Sequence, residues 1–311
     1  MMEDPVVRRV AKADAQRAAV LLDPAELEKS LRRPRSLINF LLSGLVTVLT
    51  VSALVPLFSV IYMLLAKGSQ RLNPTVFKSL PPAALEDGGG FGNAVVGTLM
   101  MVAIAALIAV PSGILAAVFL AETGPNTKLA HAVRFGAKVL SGFPSILAGV
   151  FAYGAVVLVT GSFSAVAGGV ALALLMLPTV LLTAEDALGM VPHRLKEAAV
   201  GMGATPTQTI WHVILPTAMP GILTGVMLAV ARAAGETAPL LLTALFSGNW
   251  PLSKGRVDLM QPTASLAVLI YNFSSMAYEN QKELAWAAAL VLVLFVLATN
   301  LIGQSLSRRK H

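Results

Sequence analysis

Of the 311 residues, 56% are hydrophobic and only 13% are charged, about half the roughly 25% charge of a soluble domain, which excludes a water-soluble globule and makes this a polytopic membrane protein. The formal charge of +7 comes from basic residues gathered in the two tails beside apolar spans, where topology rather than nucleic-acid binding is its cause. Cysteine is absent, which excludes disulfides and thiolate metal sites, and the four histidines, His131, His193, His212 and His311, have no metal-ligand spacing.

Residues 1–36 form a polar stretch carrying Arg8, Arg9, Lys12, Arg17, Lys29, Arg32, Arg33 and Arg35. No short apolar region follows a brief basic start, so the stretch is expected to be a topology-fixing tail, not a cleaved signal. A short helix is expected from Asp23 to Leu31, starting at Pro24. The apolar runs then predict six spans: 37–65, 93–121, 139–159, 165–184, 215–239 and 284–306. The first is ample for a hydrocarbon core of about 30 Å at 1.5 Å per residue.

The second span carries Pro111 and Gly113, which can kink it if neighbours satisfy the freed backbone. The third begins Ser-Gly-Phe-Pro-Ser-Ile from Ser141, so its start is expected to be irregular and packed on protein. Gly161 to Ser164 turns into the fourth, where Pro178 sits near the end. Between the fifth and sixth lie about 40 residues with two apolar pieces, Leu240 to Phe246 and Leu266 to Phe273. Each is too short to cross, and both are expected to dip back into the outer surface or act as lids.

Lys and Arg set the orientation. Sixteen of the 23 fall in the two tails and in the second and fourth loops, six in the other loops, and Arg232 lies inside a span. Both termini are therefore expected in the cytoplasm by the positive-inside rule. The domain plan is a cytoplasmic tail (1–36), a transmembrane domain (37–306) with a cytoplasmic elbow at about 185–214, and a cytoplasmic C-terminal tail (307–311).

In that elbow Pro192 can occupy a first helical position, and Leu195, Ala198, Ala199 and Met202 recur on one side of a short helix. Gly201 and Gly203 can end it in a left-handed cap. Thr205-Pro206-Thr207-Gln208 has the form of a capping box and starts a second short helix, expected to be interrupted by Pro216. Geometry alone leaves two readings open, an amphipathic loop lying on the lipid or a knob that seats in a groove on another protein.

In the fifth span Arg232 and Glu236 lie four apart, on one helical face, where opposite charges can pair. Leaving either charge alone in a membrane is costly. The pair lies about 24 Å along the helix from Pro216, toward the outer half of the bilayer. Here too two readings stand: a structural ion pair, or a guanidinium fork offered to a passing oxyanion, with Glu236 orienting it.

The run Glu197-Ala198-Ala199, three residues, Gly203, nine residues, then Val213-Ile214-Leu215-Pro216 resembles the EAA loop of membrane subunits of binding-protein-dependent ABC importers. Ala231-Arg232-Ala233-Ala234-Gly235-Glu236-Thr237-Ala238-Pro239-Leu240-Leu241 is similar to the signature of the PstA family, permease subunits of phosphate-specific importers. Ser141 to Ile146, Leu223-Thr224-Gly225 and Leu284 to Ala288 are similar to that family too. The sister PstC family shares Arg-x-x-Gly-Glu but usually lacks the Ala-Pro-Leu-Leu that follows.

The resemblance implies an all-α, six-helix type I ABC importer permease fold in a bacterial inner membrane. It implies that Glu197, Ala198, Ala199 and Gly203 belong to a coupling helix docking on an ATPase, and that Arg232, Glu236 and Thr237 line the substrate pathway. The implied partners are a PstC-like permease, a dimer of PstB-like ATP-binding subunits, a PstS-like phosphate-binding protein outside, and the lipid bilayer. The chain itself would hold no cofactor and hydrolyse nothing, ATP and magnesium being bound by the partner ATPases. It contains no Gly-x-x-x-x-Gly-Lys-Ser/Thr loop and no Gly-x-Ser-x-Gly elbow. A permease for sulfate or molybdate is the nearest alternative, an ion-driven secondary transporter the next.

Overall fold

The computed structural model describes residues 34–253 and 255–308. The helix expected over 23–31 lies outside the described residues. The chain divides into two units, one ending at Ile61 and one beginning at Tyr62. The first is, in its described part, the greater part of a single rod, α1 (Pro34–Gly68), which runs through Pro56 without a break; its apolar residues occupy every side instead of one stripe, as a lipid-facing helix requires.

The second unit begins with the last turns of α1 and a loop, residues 69–91, with more order than its composition predicts. Asn73 caps a short 3-10 helix (Pro74–Phe77), accepting from Thr75 and Val76 N–H. The glycines that follow fold back on that turn, with Gly90 N–H donating to Leu80 O and Phe91 N–H to Val76 O. Arg71 and Asn280 clamp the loop from the other side: the Asn280 amide donates to Glu86 O at 2.8 Å, and Arg71 donates to Asn280 Oδ1.

From there α2 (Gly92–Val118) keeps Pro111 within it and ends in a π-helical turn, Phe119–Thr123. Then α3 (Lys128–Ser141), capped by Thr127, meets α4 (Ser145–Thr160) at a bend of 107°. The third span therefore does not start at 139. Residues 139–141 finish α3, and the irregular start predicted there is the bend itself: Pro144 is extended (ψ 128°) and precedes the first turn of α4. Next, α5 (Ala165–Gly189) is capped by the Ser164 hydroxyl and contains Pro178. It continues five residues past its expected end because Glu185–Gly189 keep the helical ladder.

After the elbow helix α6 (His193–Gly201), α7 (Pro206–Ala234) begins earlier and stops sooner than the predicted 215–239. Pro216 does not interrupt it. A π-helical turn at Ile210–Ile214, in which Leu215 N–H reaches Ile210 O, widens the helix just where the proline ring would strike the preceding turn. Beyond α7 come α8 (Ala238–Leu241), a two-residue hairpin of β1 (Leu252–Ser253) and β2 (Arg256–Val257), α9 (Leu266–Ser274) and α10 (Glu279–Arg308). Five helices among the described residues are long and apolar enough to cross a membrane, and the bent α3–α4 pair makes a sixth if counted as one span.

The main core lies between α2, α5 and α7, where Met101, Ala105, Leu172, Met176, Val180, Ile222 and Ala229 are buried. Small residues let the helices approach: a Cβ on Gly225 would fall 2.1 Å from Thr183 Oγ1. A second core, with Phe91, Ala94, Leu266, Leu269, Phe273 and Leu284, joins the start of α2 to α9 and α10.

Candidate translocation and coupling sites

Arg232 stands in the last turn of α7, and Glu236 lies past the end of the helix. Gly235 N–H donates to Arg232 O and Glu236 N–H to Ala233 O in tightened turns. The two side chains still meet, with Arg232 Nε 3.5 Å from Glu236 Oε1. The expected helical face is thus corrected: the i,i+4 pair forms across a helix terminus, because Pro239 cannot continue the ladder and the chain must leave it earlier. The guanidinium is 47% exposed and the carboxylate only 16%, so the acid is seated in protein and the cation reaches out. Such a pair can hold a planar fork toward a passing anion while the carboxylate fixes its orientation.

Thr237 stands where α8 begins, its carbonyl accepting from Leu240 and Leu241 N–H. The segment that follows turns back into the bundle and is not an outer lid. A Cβ on Gly149 of α4 would come 2.6 Å from Pro239 Cα, so the backbones touch there and only glycine fits. Thr243 O accepts from Ser164 N–H at 3.0 Å, and Ala244 O from Thr263 N–H at 3.1 Å. Buried Asn93, at the start of α2, donates to Ser247 O and Asn249 O at 2.8 and 3.1 Å. Thr98 Oγ1 accepts from Leu266 N–H. The piece next to Arg232 and Glu236 is therefore tied to α2, α4 and α5.

At the elbow, Pro192 is the residue just before α6 instead of its first member, with ψ 132°. Glu197 and Ala198 are exposed and Ala199 is buried, so the expected apolar face is split: Ala199 faces the protein while Leu195 and Met202 face outward. Gly203 has φ +89°, the left-handed stop that the sequence predicts, whereas Gly201 completes the helix. The capping box is present in both halves, Gln208 N–H donating to Thr205 Oγ1 and Thr205 N–H to Gln208 Oε1. Val200 and Trp211 add to the exposed apolar surface of this knob.

Two ion pairs beside the elbow have no signature in the sequence. Lys196 of α6 meets Glu122 at 2.5 Å, and Arg134 of α3 meets Glu185 of α5 at 2.5 Å. Their partners lie 74 and 51 residues apart, and no local pattern announces such a contact. The only hint was a set of ionisable residues at the ends of apolar spans.

A family model described as "Binding-protein-dependent transport system inner membrane component" matches residues 109–311. Among curated proteins, the chain is similar to the "Phosphate transport system permease protein PstA" of Yersinia pestis, 36% identical over 302 residues, covering 96% of this chain and 99% of that one. It is similar to the protein of the same description from Haemophilus influenzae, 39% identical, covering 88% and 94%. Among solved structures, a chain of the inward-facing MetNI methionine ABC transporter superposes with TM-score 0.53 at 23% identity, covering 70% of this chain and 92% of that one. A chain of a bacterial alginate ABC transporter gives TM-score 0.60 at 16% identity, covering 90% and 98%. At these identities the structural likeness concerns the fold alone.

Proposed function

Since the chain belongs to the family of binding-protein-dependent transport-system inner-membrane components, and among them to the PstA permeases, we propose that it is a membrane-embedded permease subunit carrying inorganic phosphate into the cytoplasm. The observation that carries this reading is similarity to PstA permeases along nearly the whole chain. The subunit itself is not catalytic. ATP and magnesium are held by PstB-like partner ATPases, and a PstC-like permease and an extracytoplasmic PstS-like binding protein complete the assembly. Both termini face the cytoplasm, which puts α6 on the ATPase side and the connection from α7 to α10 on the outer side, with its first part, around Leu240 and Ala244, folded back into the core.

In this reading Glu197, Ala198 and Gly203 belong to the surface that docks on the ATPase. Ala199 anchors the helix from behind. Arg232 meets the phosphate oxygens during passage, Glu236 holds the guanidinium in place, and Thr237 flanks them. The half-exposed guanidinium suits this role, since a transit site must bind weakly enough to release.

The test is ATP-dependent uptake of labelled phosphate into vesicles holding the assembled complex, with Arg232 intact and with Arg232→Lys. Lys keeps the charge and loses the planar fork, so uptake should fall by about tenfold, the loss of about 1.4 kcal/mol of differential binding, while assembly persists. Unchanged uptake would reduce Arg232 and Glu236 to a structural pair. An intact complex that moved sulfate or molybdate and no phosphate would overturn the substrate.

A further inference from the structure

We propose that the Lys196–Glu122 ion pair, braced by Arg134, is the tie through which movement of α6 reaches α2. The proposal rests on the transporter reading above. The end of α2 is unusual in a way that serves this tie. Its π-helical turn, Phe119–Thr123, leaves Leu120 O off the regular ladder and presents Glu122 toward α6. Arg134 fills the gap: its Nη2 donates to Leu120 O and its Nη1 to Pro125 O, both at 2.9 Å, while its Nε pairs with Glu185. One guanidinium from the middle of α3 thus ties together the π turn after α2, the loop before α3 and the last turns of α5.

The elbow helix is held quite differently. Glu197, Ala198 and Val200 are exposed, and an open cleft of about 660 Å³ lies beside the helix, lined by Glu122, Arg134, Lys138, Glu185, His193 and Lys196. Space, not packing, separates α6 from the helix ends there. Lys196 crosses it to Glu122, and both side chains are sheltered, 20% and 11% exposed, so the pair is screened less than a surface bridge. At the far end of α2, Asn93 and Thr98 hold the backbone of residues 247–249 and 266. Displacement of α6 by a docked partner would therefore pull on a rod whose other end grips the segment beyond Arg232 and Glu236.

The experiment measures substrate taken up per ATP hydrolysed by the complete complex in vesicles, normalised to assembled complex. Glu122→Gln and Lys196→Gln should each lower this ratio by about fivefold or more, the effect of losing about 1 kcal/mol of coupling. The reversed pair, Glu122→Lys with Lys196→Glu, should restore it to within about twofold of the unaltered complex on the same scale. A merely structural role would reduce the amount of assembled complex and leave the ratio alone. The tie is overturned if the ratio holds in both single variants, or if the reversed pair recovers nothing. A complex that transported another oxyanion would still yield the ratio, so failure of the phosphate reading is distinguishable from failure of the tie.

Discussion

Glu236 is the sheltered member of its pair and Arg232 the exposed one, so removing either partner leaves a different problem behind. In Glu236→Gln the guanidinium keeps its charge and can turn toward water. In Arg232→Gln a carboxylate stays in protein with its nearest cation gone, the costlier outcome, since an uncompensated buried charge is penalised more than a lost attraction. Arg232→Gln should therefore lower the thermal midpoint of the detergent-solubilised protein more than Glu236→Gln, by about 2–4 °C for each 1 kcal/mol of difference in a chain of this size. Equal midpoints would mean that the carboxylate finds another partner or water. The spacing of four makes the pair legible in the sequence as one face of an unbroken helix, and Pro239 is the local signal that the ladder must stop short of it; where the chain goes after the break, against Gly149 of α4, is a tertiary contact that no local pattern contains.

Among the elements, α7 is the one whose course the sequence most misleads about. Pro216 has no N–H and its ring clashes with the preceding turn, which costs about 3 kcal/mol in a regular helix interior, so the sequence predicts an interruption. The protein instead inserts one residue into the turn ahead of the proline, keeping the helix continuous from the capping box to Ala234. Pro216→Ala removes the reason for the wider turn and should raise stability by about 1 kcal/mol, part of the proline penalty. It should also regularise Ile210–Ile214 and rotate Trp211 and His212 relative to α6. Amide exchange of that segment would report it, slower exchange being expected; an unchanged rate would mean that neighbouring helices, not the proline, impose the π turn. Caps were legible because they are local chemistry: Thr205 with Gln208, and Gly203 at positive φ. Helix ends at 141, 189 and 234 are not marked by the apolar runs; each lies three to five residues before a proline, Pro144, Pro192 and Pro239, which cannot continue the ladder.

At the scale of the molecule, the orientation argument and the crossing number are one question, and α4 decides it. Its 16 residues (Ser145–Thr160) span about 24 Å, short of a core of about 30 Å. If the bent pair nevertheless crosses, six spans put the outer loop at Leu85 and the elbow at Met202 on opposite sides of the membrane. If it only dips in and returns, five spans put them on the same side. Both side chains are strongly exposed, 87% and 84%, and the chain has no cysteine of its own, so Leu85→Cys and Met202→Cys each report one position without background. In intact cells a membrane-impermeant maleimide should label Leu85→Cys at once and Met202→Cys only after permeabilisation. Labelling of both from outside would make α3–α4 re-entrant and move the proposed coupling surface away from ATP. Labelling of Met202→Cys alone would invert the topology, against the excess of Lys and Arg assigned to the cytoplasmic side. The expected pattern requires the short α4 to cross, which it can do where the protein around the bend, not lipid alone, surrounds its ends.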